Sequence, residues 1–452
     1  MKTNSENLTT QNIPNLIKQL AIPASTGMFF NTMYNVVDTF YAGLISTQAI
    51  SALTLSFMIF FLIIGFGYGF SSAITALLGN ALGKKKYKLA SIYAHKGLIF
   101  VPIIGLILSI LGYFFSPSLF MLLGAKEEYL QISLDYINPI LFGAIFFMFN
   151  FSLNSILVAT GDTKTYRNSL IFGFFANLAL NPLFMYGFLF IPAMGIKGIA
   201  LATVLIQVIN MFYLFYKVLQ TKLIHFEKLE YFIPNMKVYK QFFVQGMPAS
   251  INMLTMAIGS LILTYFVSHY GMYAVAGYGI GYRVEQLMLL PALGLSTAVL
   301  TLVSNNYGAK KYDRVIETLK VSIKYGFIIS TFGIIFLTLL GRIIISLFDS
   351  NSVVIDFGVD FLLVEIWIFY AYVILFICVS TLQGIKQPKM LLYIGLYRQI
   401  IAKLVISYLI VKYFELDFIY LWFGILFMIY SAAIFTYFYT NNLLKKLCFK
   451  SL

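Results

Sequence analysis

Gly83-Lys84-Lys85-Lys86-Tyr87 returns later in the chain as Gly308-Ala309-Lys310-Lys311-Tyr312, a shift of 225 positions. The same shift carries Asn80 to Asn305, Pro23-Ala24-Ser25 to Pro248-Ala249-Ser250, and Asp135-Tyr136 to Asp360-Phe361. Four matches in one register define an internal repeat of half the chain. The repeated stretches sit between long apolar runs. Of the 452 residues, 60% are apolar and only 11% charged, whereas a soluble domain averages about 25% charged. Such a chain cannot cover a globule with polar surface, so a soluble enzyme is excluded and an integral membrane protein is the class.

Stretches of roughly 20 apolar residues, the length that crosses a bilayer as a helix, fall at 15–41, 50–79, 91–115, 130–160, 166–190, 196–219, 240–268, 274–303, 318–347, 357–383, 390–413 and 418–440. Twelve spans put both ends of the chain on one side. With the N-terminus inside, the inner connections hold Lys84, Lys85, Lys86, Lys88, Lys164, Arg167, Lys222, Lys228 and Lys237. Further inner segments hold Lys310, Lys311, Arg314, Lys386, Lys389, Lys445, Lys446 and Lys450, while the outer ones hold little beyond Lys126, Lys197 and Lys412. This is the positive-inside pattern, and it makes both termini cytosolic. The net charge of +14 is thereby a topology signal, not a nucleic-acid footprint. The first residues are polar with no charged n-region and apolar core, which predicts a cytosolic tail over 1–14 rather than a cleaved signal.

The expected organisation is an N-lobe over 15–219, a cytosolic linker over 220–239, a C-lobe over 240–440 and a cytosolic tail over 441–452. The fold class is all-α: twelve transmembrane helices in two six-helix repeats. An even number of spans per repeat makes the halves enter the membrane in the same direction, related by an axis along its normal, with a central cavity between them. That architecture suits a transporter working by alternating access.

No enzyme chemistry competes. Cys378 and Cys448 form no framework, and His95, His225 and His269 have no metal-ligand spacing. Gly79-Asn-Ala-Leu-Gly83-Lys84 is one residue short of a phosphate loop and lacks its hydroxyl. Gly65-x-Gly67-x-Gly69 predicts close helix packing instead. The 45 Phe and 17 Met mostly face lipid and helix interfaces, with some available to line a pliable apolar pocket.

Polar groups inside spans cost free energy and mark function. Asp38 lies near the outer end of span 1, with Gly27, Asn31 and Asn35 at helical spacing and Tyr34 one turn before it. Asn177 and Asn181 are one turn apart in span 5, and Thr203, Gln207 and Asn210 follow in span 6. By rise per residue, Asn181 and Thr203 lie roughly 12–14 Å below the outer surface, near Asp38. Asn150 and Asn154 in span 4 are further cavity candidates. The amides also suit interhelical hydrogen-bond glue, and both roles stay open. A carboxylate in low dielectric can take up a proton, or ligate a hard cation such as Na⁺ with neighbouring oxygens. In the second half, Arg283 and Glu285 in span 8, Glu365 in span 10 and Lys403 in span 11 form a candidate charge network. A buried Glu365–Lys403 ion pair is expected there, structural or coupling in role.

Val36-Val-Asp38-Thr-Phe-Tyr-Ala-Gly43, Gly83-Lys-Lys-Lys-Tyr-Lys88, Gly161-Asp-Thr-Lys164 and Asn305-Asn-Tyr-Gly-Ala-Lys-Lys-Tyr312 together resemble the multidrug and toxic compound extrusion (MATE) family. The span 1 pattern is closer to its DinF-like branch. The resemblance implies two lobes in a V-shaped transporter of the cell membrane. It would export organic cations or other amphiphiles in exchange for H⁺ or Na⁺, with no cofactor beyond that ion. By that likeness Asp38 is the coupling acid and Tyr34 its neighbour, and Asn177 and Thr203 line the same cation site. The chain departs from the DinF-like pattern in span 5, where that pattern has Asn-x-x-x-Asp-Pro and this chain has Asn177-x-x-x-Asn181-Pro182. The missing carboxylate favours H⁺ over Na⁺, and the NorM-like acids of spans 7 and 10 have no clear match. The expected partners are a small organic cation or amphiphile and membrane lipid, with no nucleic acid, and the chain is read as a monomer. The competing readings are a major-facilitator transporter, whose Asp-Arg-x-Gly-Arg loop is absent, and a lipid-linked saccharide flippase, whose cation-lined cavity is not evident in the first half.

Overall fold

The computed structural model describes residues 7–449. Residues 1–6 of the predicted N-terminal tail, and Lys450 with the last two residues of the C-terminal one, lie outside the described residues. Within them the regular structure is helical, apart from one isolated bridge between Phe188 and Ile191. The helices are α1 (Ile13–Ile45), α2 (Thr47–Gly83), α3 (Tyr87–Leu122), α4 (Glu127–Ala159), α5 (Lys164–Tyr186) and α6 (Gly195–Gln220). There follow α7 (Met236–Val267), α8 (Met272–Gly308), α9 (Tyr312–Ser346) and α10, in two parts, Ser352–Glu365 and Ile368–Gly384, bent by 53°. The last are α11 (Lys389–Tyr413) and α12 (Phe418–Phe449).

Among the described residues, ten helices are each long and apolar enough to cross a bilayer, and the two parts of α10 make an eleventh span together. The twelfth segment is α1, 33 residues long but diluted by Asn31, Asn35 and Asp38. The twelve helices match the twelve predicted stretches in order. Two differences are local. The last helix runs on to Phe449, through the first part of the predicted tail. And α11 is not a plain α-helix, since Tyr397–Ile401 and Leu409–Tyr413 wind as π-helix.

Two compact units emerge: Thr26–Ser250 is one, and Asn7–Ser25 with the chain from Ile251 onward is the other. The divisions therefore fall inside α1 and α7, not in the 220–239 linker. Each follows a proline inside the helix, Pro23 in α1 and Pro248 in α7, where a ring replaces a backbone N–H. Pro23-Ala-Ser25 and Pro248-Ala-Ser250 are one of the repeated motifs, and packing explains it. In the first unit Gly69 lies against Ser250, so closely that a Cβ would stand 2.5 Å from the serine nitrogen. In the second unit Gly294, the repeat mate of Gly69, takes Ser25 the same way, with a Cβ 2.8 Å from its nitrogen. Gly67 likewise meets the Phe151 ring, with a Cβ 2.6 Å from its Cε2, as the glycine run predicted.

The repeated basic stretches terminate helices. Lys85 and Lys310 both adopt left-handed backbone, with φ of 56° and 59°. Lys86 N–H then closes on Ala81 O and Lys311 N–H on Asn306 O, each at 2.9 Å, the C-terminal lock that spends two orphan carbonyls. The 220–239 linker packs on α3. Ser91 Oγ donates to Leu223 O at 2.6 Å, His225 N–H to His95 Nε2 at 3.0 Å, and Lys96 Nζ to Glu230 O at 3.3 Å. The N-terminal stretch is also docked: Asn306 Nδ2 donates to Leu8 O at 3.1 Å, Lys311 Nζ to Thr9 O at 2.8 Å, and Arg314 Nη2 to Gln11 O at 2.6 Å.

Candidate functional site

Asp38 is 3% exposed and faces α5 and α6 from the C-terminal part of α1. Asn177 Nδ2 donates to its Oδ1 at 2.8 Å and Asn181 Nδ2 to the same oxygen at 2.9 Å. Thr203 Oγ1 donates to Oδ2 at 3.3 Å, and Asn181 Nδ2 also reaches Asn177 Oδ1 at 3.2 Å. Both asparagines are fully buried. They share one face of α5 because they are one turn apart. Three helices thus bring four polar side chains to one point, as depth and periodicity predicted.

The close approach has a local cause. Gly27 brings α1 against α5, with a Cβ there 3.2 Å from Arg167 Cα. Pro182 sits inside α5 and has no N–H for the carbonyl of Leu178. Tyr41 Oη fills that role, donating to Leu178 O at 3.0 Å. One turn beyond Asp38, Tyr41 fixes α1 to α5 beside the site. Sequence reading missed it, although it lies in the Val36–Gly43 motif and Pro182 announces a free carbonyl.

Tyr34 is buried beside Asp38 and within its electrostatic reach, with its hydroxyl set near Thr203 and Asn177. Gly173 leaves room for its ring, with a Cβ 3.8 Å from Tyr34 Cδ2 and 3.6 Å from Asn210 Nδ2. Tyr136 on α4, another residue sequence reading missed as a site member, is within reach of both Asp38 and Tyr34. The other amides scatter. Asn150 Nδ2 donates to Gln207 O at 2.9 Å and Oε1 at 2.8 Å, which ties α4 to α6. Asn154 Oδ1 is buried without a partner. Asn31 and Asn35 are exposed, and Asn35 bonds Asn31 O on its own helix at 3.0 Å. The buried edge of α1 is the Tyr34–Asp38 row, and Asn35 is turned about 100° from Tyr34.

The second-half charges depart from expectation. Glu285, Glu365 and Lys403 are buried together, but Arg283 is exposed. The buried guanidinium is Arg398, 4% exposed and 5.5 Å from the Tyr372 ring centre. No direct Glu365–Lys403 ion pair forms. Lys403 Nζ donates to Gln399 Oε1 at 3.0 Å, and the one salt bridge among the described residues is the exposed pair Arg342–Asp356, at 2.9 Å. The physical reason is the π-turn at Tyr397–Ile401, whose i→i+5 spacing puts residues five apart, Arg398 and Lys403, on one face. In a regular α-helix they point different ways. Glu365 stands at the 53° break of α10. The carbonyl of Trp367 in that break accepts from Tyr430 Oη at 2.8 Å. Met288 and Phe369 line a small cavity of about 10 Å³ with Gly326, Ile329 and Val373.

A polytopic all-helical fold with repeated six-helix halves and a buried acid among neutral donors is that of a membrane transporter. The MatE family model matches residues 23–183 and again 248–409, the second match starting 225 positions after the first. The chain belongs to the MATE family, the multidrug and toxic compound extrusion transporters. It is 30% identical over 327 residues to "Probable multidrug resistance protein YoeA" of Bacillus subtilis (strain 168), covering 72% of this chain and 70% of that one. It is 25% identical over 393 residues to the "FAD transporter" of Shewanella oneidensis, covering 87% of each. A solved structure described as the outward-facing conformation of a multidrug resistance MATE family transporter of the MOP superfamily shares the fold at a TM-score of 0.91, with 24% identity and 99% of each chain covered. The chain is therefore a transporter and not an enzyme, and the major-facilitator and saccharide-flippase readings are not favoured.

Proposed function

We propose that the protein is a secondary active antiporter that exports small amphiphilic, cationic compounds in exchange for H⁺, coupled through Asp38. The observation that carries this is the donor set of Asp38. Two amide N–H groups and one hydroxyl hydrogen-bond a buried carboxylate, so the charge is held by neutral dipoles.

Protonation removes the charge those donors serve. A neutral carboxyl is a weaker acceptor and has a donor of its own, so α5 and α6 repack against α1 when the proton arrives. The ionised form attracts an organic cation and the protonated form releases it, which links the two fluxes. A sodium site needs several oxygen ligands around the ion. Here the groups nearest the carboxylate are amide N–H donors, and position 181 is an asparagine, which supports H⁺ over Na⁺. The relatives' names, a multidrug resistance protein and an FAD transporter, support small organic molecules as the cargo. The lysine distribution supports cytosolic termini, the bacterial relatives support an inner-membrane location, and the protein is read as a monomer in contact with lipid.

The test is ethidium transport in inverted membrane vesicles, with pH and Na⁺ gradients imposed separately. Transport should follow the pH gradient alone, and Asp38→Asn should reduce it to background with the protein still folded. Normal pH-driven transport in that variant defeats the assignment.

A further inference from the structure

Four ionisable side chains of the second unit are buried without an ion pair. Glu285 on α8, Glu365 at the α10 break, and Arg398 and Lys403 on α11 are each no more than 7% exposed. Glu285 lies within electrostatic reach of both cations, and Glu365 within reach of Glu285 and Lys403. No nitrogen–oxygen pair among these four comes within the 4.0 Å of a salt bridge. Their charges cancel only when both carboxyls are ionised, so a proton on either leaves one positive charge in excess.

Lys403 is already occupied. Its Nζ donates to Gln399 Oε1 at 3.0 Å, and both groups lie over Gly259 of α7, where a Cβ would stand 3.1 Å from Nζ and 2.5 Å from Oε1. Arg398 is not. Its Nε and Nη1 are buried with no hydrogen-bond partner, and one face of its guanidinium lies over the Tyr372 ring. Tyr282 and Glu285 are its other neighbours in electrostatic reach. A guanidinium has only donors, in a planar fork that fits two oxygens side by side. What it lacks here is an oxygen acceptor. The π-turn that aims it inward is a local departure of the kind that gathers at functional sites.

We propose that Arg398 anchors a ligand site inside the second unit, which takes the oxyanion of an amphiphile, a carboxylate or a phosphate ester. The fork of Arg398 binds the oxyanion, the ammonium of Lys403 supports it, and the rings of Tyr372 and Tyr282 contact the apolar body. Asp38 and its partners all belong to the other unit, so the proposal does not rest on the proton reading. It widens the ligand range from cations to molecules that carry an anionic group.

Binding, not transport, tests it. The purified full-length protein in dodecyl maltoside is titrated with dansylglycine, a fluorescent carboxylate, and with dansylamide, its uncharged counterpart. Dansylglycine should bind saturably and at least tenfold more tightly. Arg398→Gln should abolish that tenfold preference, Arg398→Lys should weaken it because the fork is lost, and Arg342→Gln should leave it intact. Displacement by AMP marks a soluble phosphate ester as the better fit, and displacement by phosphatidylglycerol marks a lipid headgroup. Equal binding of the two dansyl probes by the unaltered protein overturns the site whether or not the variants fold, and so does an undiminished preference in both Arg398 variants.

Discussion

Replacing Tyr41 by phenylalanine removes a single hydrogen bond, the one from its hydroxyl to Leu178 O at 3.0 Å. That carbonyl is free because Pro182, four residues on, has no N–H. Interhelical hydrogen bonds in membrane proteins contribute about 0.6 kcal/mol on average and up to about 1.7 kcal/mol. An acceptor left without any partner inside the bilayer belongs at the upper end of that range. Tyr41→Phe should therefore cost about 1.5 kcal/mol. Pro182→Ala restores an N–H at position 182 that reaches the same carbonyl along the helix. In that background the hydroxyl is redundant, and Tyr41→Phe should cost no more than about 0.3 kcal/mol. The measurement is a double-mutant cycle by reversible unfolding in mixed micelles of lipid, detergent and dodecyl sulfate. An equal cost of Tyr41→Phe in both backgrounds refutes the claim that Tyr41 caps the proline's free carbonyl.

Two further outcomes follow from packing and docking. Gly69→Ala places a Cβ 2.5 Å from the Ser250 nitrogen and 2.8 Å from its Cα. Overpacking of this kind costs about 1–3 kcal/mol, and because the clash is with backbone, Ser250→Gly should not relieve it. A thermal melt of Gly69→Ala that matches the unaltered protein contradicts that picture. Arg314→Gln removes the donors to Asn306 Oδ1 at 2.9 Å and Gln11 O at 2.6 Å. Charged hydrogen bonds contribute about 1.5–3 kcal/mol, so amide exchange over residues 7–11 should quicken at least tenfold. Unchanged exchange there means that the arginine does not hold the segment.

Much of this protein is written in residue order. Apolar length sets the spans, because a helix must satisfy its backbone within the bilayer. The 225-residue register of the glycine, lysine and proline motifs set the repeat, because each motif does a local job: a left-handed helix stop at Lys85 and Lys310, a proline before a serine that meets glycine. Asp38, Asn177, Asn181 and Thr203 could be brought together from depth and helical period alone, since straight α-helices obey one geometry. Tertiary structure decided what breaks that geometry. The division of the units inside α1 and α7 depends on which helices each end packs against, which no single segment records. The π-turn of α11 put Arg398 into the buried cluster beside Lys403, while Arg283 is exposed because it lies two residues from Glu285 on a regular helix, on the opposite face. Period counting assumes 3.6 residues per turn, and one extra residue in a turn rotates every side chain beyond it.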